Sequence, residues 1–243
     1  MGPSSLFNHV LGPVMHGPSS SHTAASFHIG RIARSALGES PVEADIAFDP
    51  AGAYAEVYRQ QGSDRAFAMG IMGRGITDPV YKNALEAVRG EGVDLTFTIK
   101  SLKDKDHPNA VEVFLKGASG RKVILGARSV GGGAVEVTSL DGIGLSLRSD
   151  AWDLVVLAEE GALPLLREEA GALTLAGSSL REWGHEELIV FHAPCLEKPP
   201  AGLIEGLRLA GGVRELWLLE PVFLPSKGEP LFSDASAMVS YAG

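Results

Sequence analysis

The stretch best suited to chemistry is residues 17–23, which read Gly-Pro-Ser-Ser-Ser-His-Thr and run into a predicted helix. Its hydroxyl and imidazole groups both donate and accept hydrogen bonds. The free N–H groups and the positive dipole end of a helix start attract a phosphate or carboxylate, by roughly 0.3–1 kcal/mol per charge at an exposed site. The pattern therefore predicts an anion-binding site, with an ordinary capped helix after a Gly-Pro turn as the alternative. The side chains predicted to bind the ligand are Ser19, Ser20, Ser21, His22 and Thr23.

The helix that follows is predicted over residues 24–37 from its apolar periodicity. Four apolar residues recur at spacings of three and four and so form one stripe along the helix. Ser20 or Ser21 is the predicted N-cap, whose side-chain oxygen accepts a hydrogen bond from a free N–H of the first turn. The stripe consists of Ala25, Ile29, Ile32 and Ala36.

Three other short polar segments have the character of a binding or catalytic site. They are residues 61–65 (Gln-Gly-Ser-Asp-Arg), 107–109 (His-Pro-Asn) and 129–133 (Ser-Val-Gly-Gly-Gly). Each has a structural alternative: a solvated ion pair for the first, a turn for the second, and a bulge or tight bend for the third. Each segment alone has an ordinary structural explanation, so a functional prediction depends on the four polar segments taken together.

Length and composition limit the classes of protein to consider. A chain of 243 residues is long enough for one large domain or two ordinary ones. Its 45% hydrophobic and 21% charged residues indicate a packed protein rather than a disordered one. The formal net charge of −9 and the lack of a basic stripe argue against a nucleic-acid surface. We therefore expect small molecules or proteins as partners.

The expected location is the cytoplasm. The sequence has no run of about 18 apolar residues that would cross a membrane. Its first residues have neither the basic segment nor the apolar segment of a signal peptide. We therefore expect no association with a membrane.

Cys195 is the one cysteine of the sequence. A disulfide within the chain and a multi-cysteine zinc site are therefore excluded, and this chain alone cannot supply the several thiolates of an iron–sulfur cluster. His22 and His28 have no third ligand at zinc spacing, so no metal site is predicted in this chain. Because Cys195 ends an apolar strand, it is predicted to be a small buried hydrophobic residue rather than a nucleophile.

Residues 1–150 are predicted to form a first α+β domain, with helices packed on an antiparallel sheet. A second helix is predicted at 66–72 with Ser63 as its cap, and a third begins at Asp78-Pro79. A polar loop at 103–109 and the glycine run at 129–133 interrupt the strands. Alternating apolar residues predict strands at 42–48, 95–99, 111–115, 122–127, 134–138 and 143–147.

Residues 151–225 are predicted to form a second unit with the order βαββαβ, which is the ferredoxin-like arrangement. Residues 226–243 form a tail with a short helix at 235–241, either a frayed end or the beginning of a linker. The predicted strands of the second unit are 153–158, 172–180, 187–193 and 213–220, and its helices are 163–170 and 202–210.

Together the four polar segments resemble one family, the iron–sulfur-dependent L-serine dehydratases, and in particular their beta chain or beta domain. Residues 17–23 match that family's GPSSSHT signature without a mismatch, 107–109 match its HPN loop, and 129–133 match its S-[IV]-GGG turn. The matches follow the family's order, and the resemblance covers roughly residues 6–148. The βαββαβ segment resembles an ACT domain, such as follows related modules in some phosphoglycerate dehydrogenases.

The resemblance implies conversion of L-serine to pyruvate and ammonia. This reaction needs a base for the Cα proton, a Lewis acid for the hydroxyl group and an anion site for the carboxylate. The resemblance further implies a [4Fe–4S] cluster ligated by a partner alpha chain or domain, a small amino-acid substrate, and self-association through the ACT-like unit. The implied catalytic residues are Gln61, Asn109 and Ser129. The implied substrate-binding residues are the five side chains of 19–23 with Asp64, His107, Gly131 and Gly132.

Gln61 is a departure from the family pattern. The family segment typically reads G-K-G-H-G-T-D, whereas residues 58–64 read Tyr-Arg-Gln-Gln-Gly-Ser-Asp, so Gln61 stands at the histidine position. A glutamine amide orients a neighbour by hydrogen bonds but does not accept a proton at neutral pH. Three functions therefore stay open: a dehydratase subunit active with an alpha chain, a non-catalytic module that senses an amino acid or carboxylate, and a scaffold for an alpha chain.

Overall fold

The first unit consists of a six-stranded sheet and four helices, which lie within residues 20–90. The computed structural model describes residues 16–103, 107–175 and 178–222, so the predicted tail helix at 235–241 lies outside the described residues. The helices are α1 (Ser20–Leu37), α2 (Ala53–Val57), α3 (Ser63–Met72) and α4 (Ala84–Gly90). The strands are β1 (Pro41–Phe48), β2 (Asp94–Ile99), β3 (Ala110–Gly117), β4 (Lys122–Gly131), β5 (Ala134–Leu140) and β6 (Ile143–Leu147).

The strand order of this sheet is β2-β1-β3-β4-β5-β6. The pairs from β1·β3 to β5·β6 are antiparallel, but β1 and β2 are parallel, with Ile46 opposite Phe97. The prediction of an all-antiparallel sheet is wrong at this edge. The reason is that α2, α3 and α4 form a helical crossover between β1 and β2, and such a crossover returns the chain in the same direction.

Most predicted elements of the first unit are confirmed, with shifts at their ends. The α1 stripe is almost fully buried, since each of its four residues exposes at most 1% of its surface. The third helix starts at Asp78-Pro79 as predicted, but its first turn, Pro79–Asn83, is a 3₁₀ helix that precedes α4. The side chain of Asp78 caps this turn by accepting a hydrogen bond from the Val80 N–H at 2.9 Å. Helix α2 was not predicted.

Helices α1 and α3 pack at very close range through two facing glycines. A Cβ atom on Gly70 would lie 2.3 Å from the backbone oxygen of Phe27 and 2.9 Å from the backbone nitrogen of Arg31. A Cβ atom on Gly30 would lie 2.9 Å from the backbone oxygen of Phe67. Only glycine allows two helix backbones to approach this closely.

The second unit has the ferredoxin-like order β10-β7-β9-β8 with all neighbours antiparallel. The prediction for its second strand is wrong in position: β8 is Arg181–His185 rather than 172–180. In that interval Thr174 forms only an isolated bridge to Cys195, and Leu173 packs against the core from a loop. The elements are β7 (Trp152–Ala158), α5 (Leu163–Gly171), β8, β9 (Leu188–Cys195), α6 (Ala201–Leu209) and β10 (Val213–Leu219).

The four-stranded sheet is covered on both faces. One face, which includes Leu154 and Phe191, packs in a core with residues of α5 and α6. The other face contributes Val155, Trp217 and Leu219 to the same core as α1 and the six-stranded sheet. Because this second face completes the first unit's core, the two sheets share apolar packing. Across the described ranges, none of the helices is long and apolar enough to cross a membrane.

Candidate functional site

The serine stretch forms the first turn of α1, but it is capped differently from the prediction. The helix starts at Ser20, so the N-cap is Ser19 rather than Ser20 or Ser21, and the Ser19 side chain forms no cap hydrogen bond. The Ser19 hydroxyl instead lies 2.8 Å from Nδ1 of His22, one turn along the helix. This contact fixes the His22 ring and leaves the N–H groups of the first turn uncapped by the Ser19 hydroxyl.

Thr23 holds the entry to the helix in place. Its hydroxyl donates to the carbonyl oxygen of His16 at 2.7 Å, and the side chain is fully buried. The His16 ring stacks on Tyr81 with centroids 3.9 Å apart, and its Nε2 lies 2.9 Å from the Ile76 carbonyl oxygen. His16 therefore ties the turn before α1 to the segment before α4. Thr23 has a structural role here in addition to any contact with a ligand.

The segment at the start of α3 lies against the serine stretch. A Cβ atom on Gly62 would lie 3.6 Å from the Thr23 methyl group and 3.9 Å from the Gly17 carbonyl oxygen. The predicted cap at Ser63 is wrong: Gly62, with φ of 78°, is the N-cap, and Ser63 is the first helical residue. The Tyr81 hydroxyl donates to the Gly62 carbonyl oxygen at 3.2 Å, so Tyr81 contacts the segment before α3 as well as His16.

Three buried polar atoms without partners are found in these two segments. They are Nε2 of His22, Oε1 of Gln61 and Oγ of Ser63, none of which has a hydrogen-bond partner among the described residues. An unsatisfied buried polar atom costs about 1–3 kcal/mol, so folded proteins seldom retain one without a reason. Three such atoms in two segments that touch indicate a place prepared for a polar ligand.

Asp64 does not join this group. It lines a separate cavity of about 330 Å³ together with Arg59, Arg89 and Phe97, and no described contact links it to the serine stretch. Burial raises the pKa of its carboxyl group, although the Arg65 N–H, which donates to it at 2.8 Å, acts in the opposite direction. Asp64 also acts electrostatically on Tyr81, whose hydroxyl contacts Gly62, so its predicted role in substrate binding stays a prediction.

Tyr54, which no motif of the sequence singled out, connects the serine stretch to the other two predicted segments. Its fully buried ring meets the His22 ring edge-on, with centroids 5.3 Å apart, and its hydroxyl lies 3.4 Å from the Ser26 hydroxyl. Burial raises the pKa of Tyr54 to about 12, so the phenol is neutral at any ordinary pH. The N–H of the preceding residue, Ala53, donates to the Pro108 carbonyl oxygen at 2.7 Å.

The His-Pro-Asn loop and the glycine run lie side by side at one end of β3 and β4. The Ser129 N–H donates to the Asn109 carbonyl oxygen at 3.2 Å, and the Asn109 N–H donates to Nδ1 of His107 at 3.2 Å. Ser129 is buried inside β4, whereas Gly131 and Gly132 are exposed at its end. Residues 104–106 of the predicted polar loop lie outside the described residues.

Asp49 is a further residue that the sequence did not single out. Its carboxylate accepts from the Ala51 N–H at 3.0 Å and from the Leu102 N–H at 2.9 Å, which fixes the turn after β1. The Gly52 backbone passes so close to the loop that a Cβ atom would lie 3.0 Å from the Pro108 oxygen. The two halves of the candidate site are thus joined through residues 49–54.

The donors of this chain do not fit an iron–sulfur cluster. Cys195 is fully buried, and burial, assisted by the nearby Asp153 carboxylate, raises its thiol pKa to about 11. A cluster ligand must be a thiolate, which this environment disfavours. No group of three or more His, Cys, Asp or Glu side chains with a metal-binding arrangement is found in residues 16–103, 107–175 and 178–222.

Comparison with known proteins relates the chain to the beta chains of L-serine dehydratases and confirms the resemblance seen in the motifs. No family model matches the chain. It is 36% identical over 138 residues to the probable L-serine dehydratase, beta chain, of Bacillus subtilis (strain 168). It is 33% identical over 141 residues to the L-serine dehydratase, beta chain, of Peptoniphilus asaccharolyticus. The matches cover 57% and 58% of this chain and 61% and 63% of the two relatives, so the chain spans about three fifths of their length.

Proposed function

We propose that the chain is a beta subunit of an L-serine dehydratase and holds the substrate for conversion to pyruvate and ammonia together with an alpha chain. The observation that carries the proposal is the group of unpartnered buried atoms on His22, Gln61 and Ser63, beside a helix start rich in hydroxyls. These groups complement an amino acid, because the uncapped N–H groups and hydroxyls bind a carboxylate and the amide oxygen accepts from an ammonium group.

His22 is the group of this chain best placed to move a proton. Its Nδ1 lies 2.8 Å from the Ser19 hydroxyl. In the neutral tautomer that carries its proton on Nδ1 and donates it to Ser19, Nε2 is a free acceptor. Nε2 is buried and unpartnered, as a base that awaits a substrate proton would be. Gln61 stands at the histidine position of related chains and can only orient the substrate. In this proposal His22 removes the Cα proton as hydroxide leaves Cβ, and the resulting aminoacrylate hydrolyses to pyruvate and ammonia.

The proposed partner is an alpha chain that carries the [4Fe–4S] cluster. The sequence has one cysteine, and the described ranges contain no group of His, Cys, Asp or Glu side chains that could hold a metal ion. A Lewis acid for the departing hydroxyl group would therefore come from the partner. The small amino-acid substrate would lie between the two chains.

The test is anaerobic co-expression with an alpha chain from the same organism, followed by measurement of pyruvate and ammonia released from L-serine. We expect activity from the complex and a loss of about 10²–10⁴-fold in kcat for His22→Gln, the range associated with a lost general base. His185→Gln, on β8 of the second unit, is the matched control and should retain full activity.

Two results would count against different parts of the proposal. An assembled, cluster-loaded complex without lyase activity on L-serine or any small 3-hydroxy acid would contradict the dehydratase function. Full activity of the His22→Gln complex would leave the dehydratase function intact and refute the role of His22 as the base.

The second candidate is a non-catalytic module that senses an amino acid or carboxylate. Gln61 favours it, because its amide oxygen is buried and free to accept a hydrogen bond, yet an amide cannot transfer a proton. Calorimetry on the chain alone separates the candidates. Saturable binding of L-serine without an alpha chain supports sensing, and its absence favours a site completed only by the partner.

A further inference from the structure

A cavity lies away from the serine stretch, where the second half of α1 faces α6. Its volume is about 790 Å³, within the range of small-molecule sites. One wall is formed by α1 and the turn after it, including Arg34 and Gly38. The opposite wall is formed by the start of α6 and the end of β10, including Ala201 and Leu218. The cavity therefore lies between the first unit and the ferredoxin-like unit.

Several cations line this cavity, and some of them have no carboxylate partner. Arg31 is paired with Glu220, and Arg121 with Glu215 at 3.4 Å. The carboxylate of Glu39 is engaged by the hydroxyl and N–H of Ser119. Exposed Glu205 also lines the cavity and forms no ion pair within the described ranges.

Three of the lining cations, Arg34, Lys198 and Arg208, form no salt bridge in the part of the chain that the structure describes, although the Glu91 carboxylate attracts Arg34 electrostatically. Arg34 donates to the Ile71 carbonyl oxygen at 2.7 Å and to the Ser40 hydroxyl at 2.8 Å, which hold its charge in place without neutralising it. Arg208 reaches across from α6 to within 3.6 Å of where a Cβ atom on Gly38 would lie. Positive charge from both units is thus directed at one space.

The start of α6 adds unsatisfied backbone donors to the same wall. Its N-cap is Pro200, which has no capping side chain, and its first turn contains no acidic residue. The Pro200 carbonyl oxygen accepts from the N–H groups of Leu203 and Ile204, and no described group accepts from the N–H of Ala201. An uncapped helix start of this kind favours an anion.

The remaining walls suit the carbon part of a ligand. Trp152 and Leu218 line the cavity, and the Lys198 ammonium lies over the Trp152 ring at 5.4 Å from its centroid. In addition, Nε of Arg121 is buried without a hydrogen-bond partner among the described residues. We propose that this cavity binds a small organic anion, held through a phosphate or carboxylate group by Arg34, Lys198, Arg208 and the start of α6.

Such a ligand would bridge the two units and contact α1 at the end opposite to the serine stretch. The helix has 18 residues and therefore spans about 27 Å at 1.5 Å per residue. The binding site is independent of the proposed dehydratase function, because none of its residues belongs to the group around His22. Direct measurement of ligand binding to this chain therefore tests the proposed anion site, whatever the outcome for the dehydratase function.

The test is titration calorimetry on the full chain with inorganic phosphate and, separately, with succinate, both at fixed ionic strength in chloride. We expect saturable binding of at least one probe, weakened at least 10-fold in the double variant Lys198→Gln/Arg208→Gln. Stronger binding of phosphate indicates a phosphorylated ligand, and stronger binding of succinate a carboxylate. The control is Lys122→Gln/Arg148→Gln, which removes two exposed cations outside the cavity and should bind as the wild type does.

Urea unfolding of both double variants should give midpoints equal to that of the wild type, because the replaced side chains lie at the surface or line the open cavity. Absence of saturable binding of either probe to the wild type would overturn the proposal. An equal loss of affinity in the control variant would also overturn it, since the effect would then reflect net charge rather than this cavity.

Discussion

Replacement of Gly70 by alanine is the sharpest test of how the site is supported. The new Cβ atom would lie 2.3 Å from the Phe27 carbonyl oxygen and 2.9 Å from the Arg31 nitrogen, and both are backbone atoms of α1. Neither atom is the end of a flexible side chain, so α1 and α3 have to separate by about 1 Å to reach an ordinary contact distance. That separation also displaces the start of α3 from the serine stretch.

The expected loss combines two opposing effects. Overpacking of a tight contact costs about 1–3 kcal/mol, while alanine in a helix interior is favoured over glycine by about 1 kcal/mol. Because the contact is between backbones, we place the cost at the upper end and expect a net loss of about 2 kcal/mol. For a chain of this size that loss corresponds to a fall in Tm of about 4–8 °C.

Urea and thermal unfolding measure this loss, with Gly206→Ala as the matched control. Gly206 also lies inside a helix, α6, but a Cβ atom there meets nothing within 4 Å. The control should equal the wild type or exceed it in stability by up to about 1 kcal/mol. If the free energy of unfolding of Gly70→Ala were within about 0.5 kcal/mol of the wild-type value, the reasoning would be refuted. The two helices would then accommodate a methyl group at a contact too short for one.

Two further predictions concern titratable groups. Burial, with a smaller contribution from Arg31, lowers the pKa of His28 to about 4, so the unfolded chain binds this proton more readily and stability should fall as the pH drops from about 6.5 to 4. The loss in free energy of unfolding attributable to His28 is on the order of 3 kcal/mol. Urea titrations at pH 7 and 4.5 should show this loss in the wild type but not in His28→Gln. Equal acid sensitivity of the two proteins would contradict the prediction. The Cys195 thiol, with a pKa of about 11, should react with an aromatic disulfide reagent at pH 8 at least about 100-fold more slowly in the folded chain than in urea, and comparable rates would show that it is accessible.

The fold was predictable where one periodicity dominated a segment. The stripe of α1, the alternating strands from β1 to β6 and the βαββαβ order of the second unit all followed from local apolar patterns. The parallel pairing of β1 with β2 did not, because strand direction depends on which strands become neighbours in the sheet, and local apolar patterns do not show this. The helices predicted at 66–72 and from Asp78 do lie between these two strands and form most of the crossover. The position of β8 was missed because residues 172–175 are apolar enough to resemble a strand but pack from a loop.

The sequence was enough to predict which segments form the candidate site. It was not enough to predict which side chains contact one another there. The sequence predicted Ser19 and His22 as ligand-binding residues and Ser20 or Ser21 as the N-cap. It did not predict the contact between the Ser19 hydroxyl and the His22 ring, because a preference for caps does not reveal that an imidazole competes for the same oxygen. Asp64 adjoins Ser63 in sequence, yet the helical turn directs their side chains to different surroundings. Tyr54 was missed because its importance comes from long-range packing, which leaves no local signal.

The core shared by the two sheets has a consequence for the protein's biosynthesis. Trp217 and Leu219, near the end of the described chain, complete the packing beneath α1, near its beginning. At a synthesis rate of about 5–20 residues per second, the stretch from Leu147 to Leu219 takes roughly 4–14 s to produce. During that interval the nascent first unit has its strands but lacks part of its apolar cover. The yield of folded protein should therefore depend more on chaperones during translation than it does for a protein whose halves fold independently. For the same reason, premature termination before β10 should lower this yield more strongly.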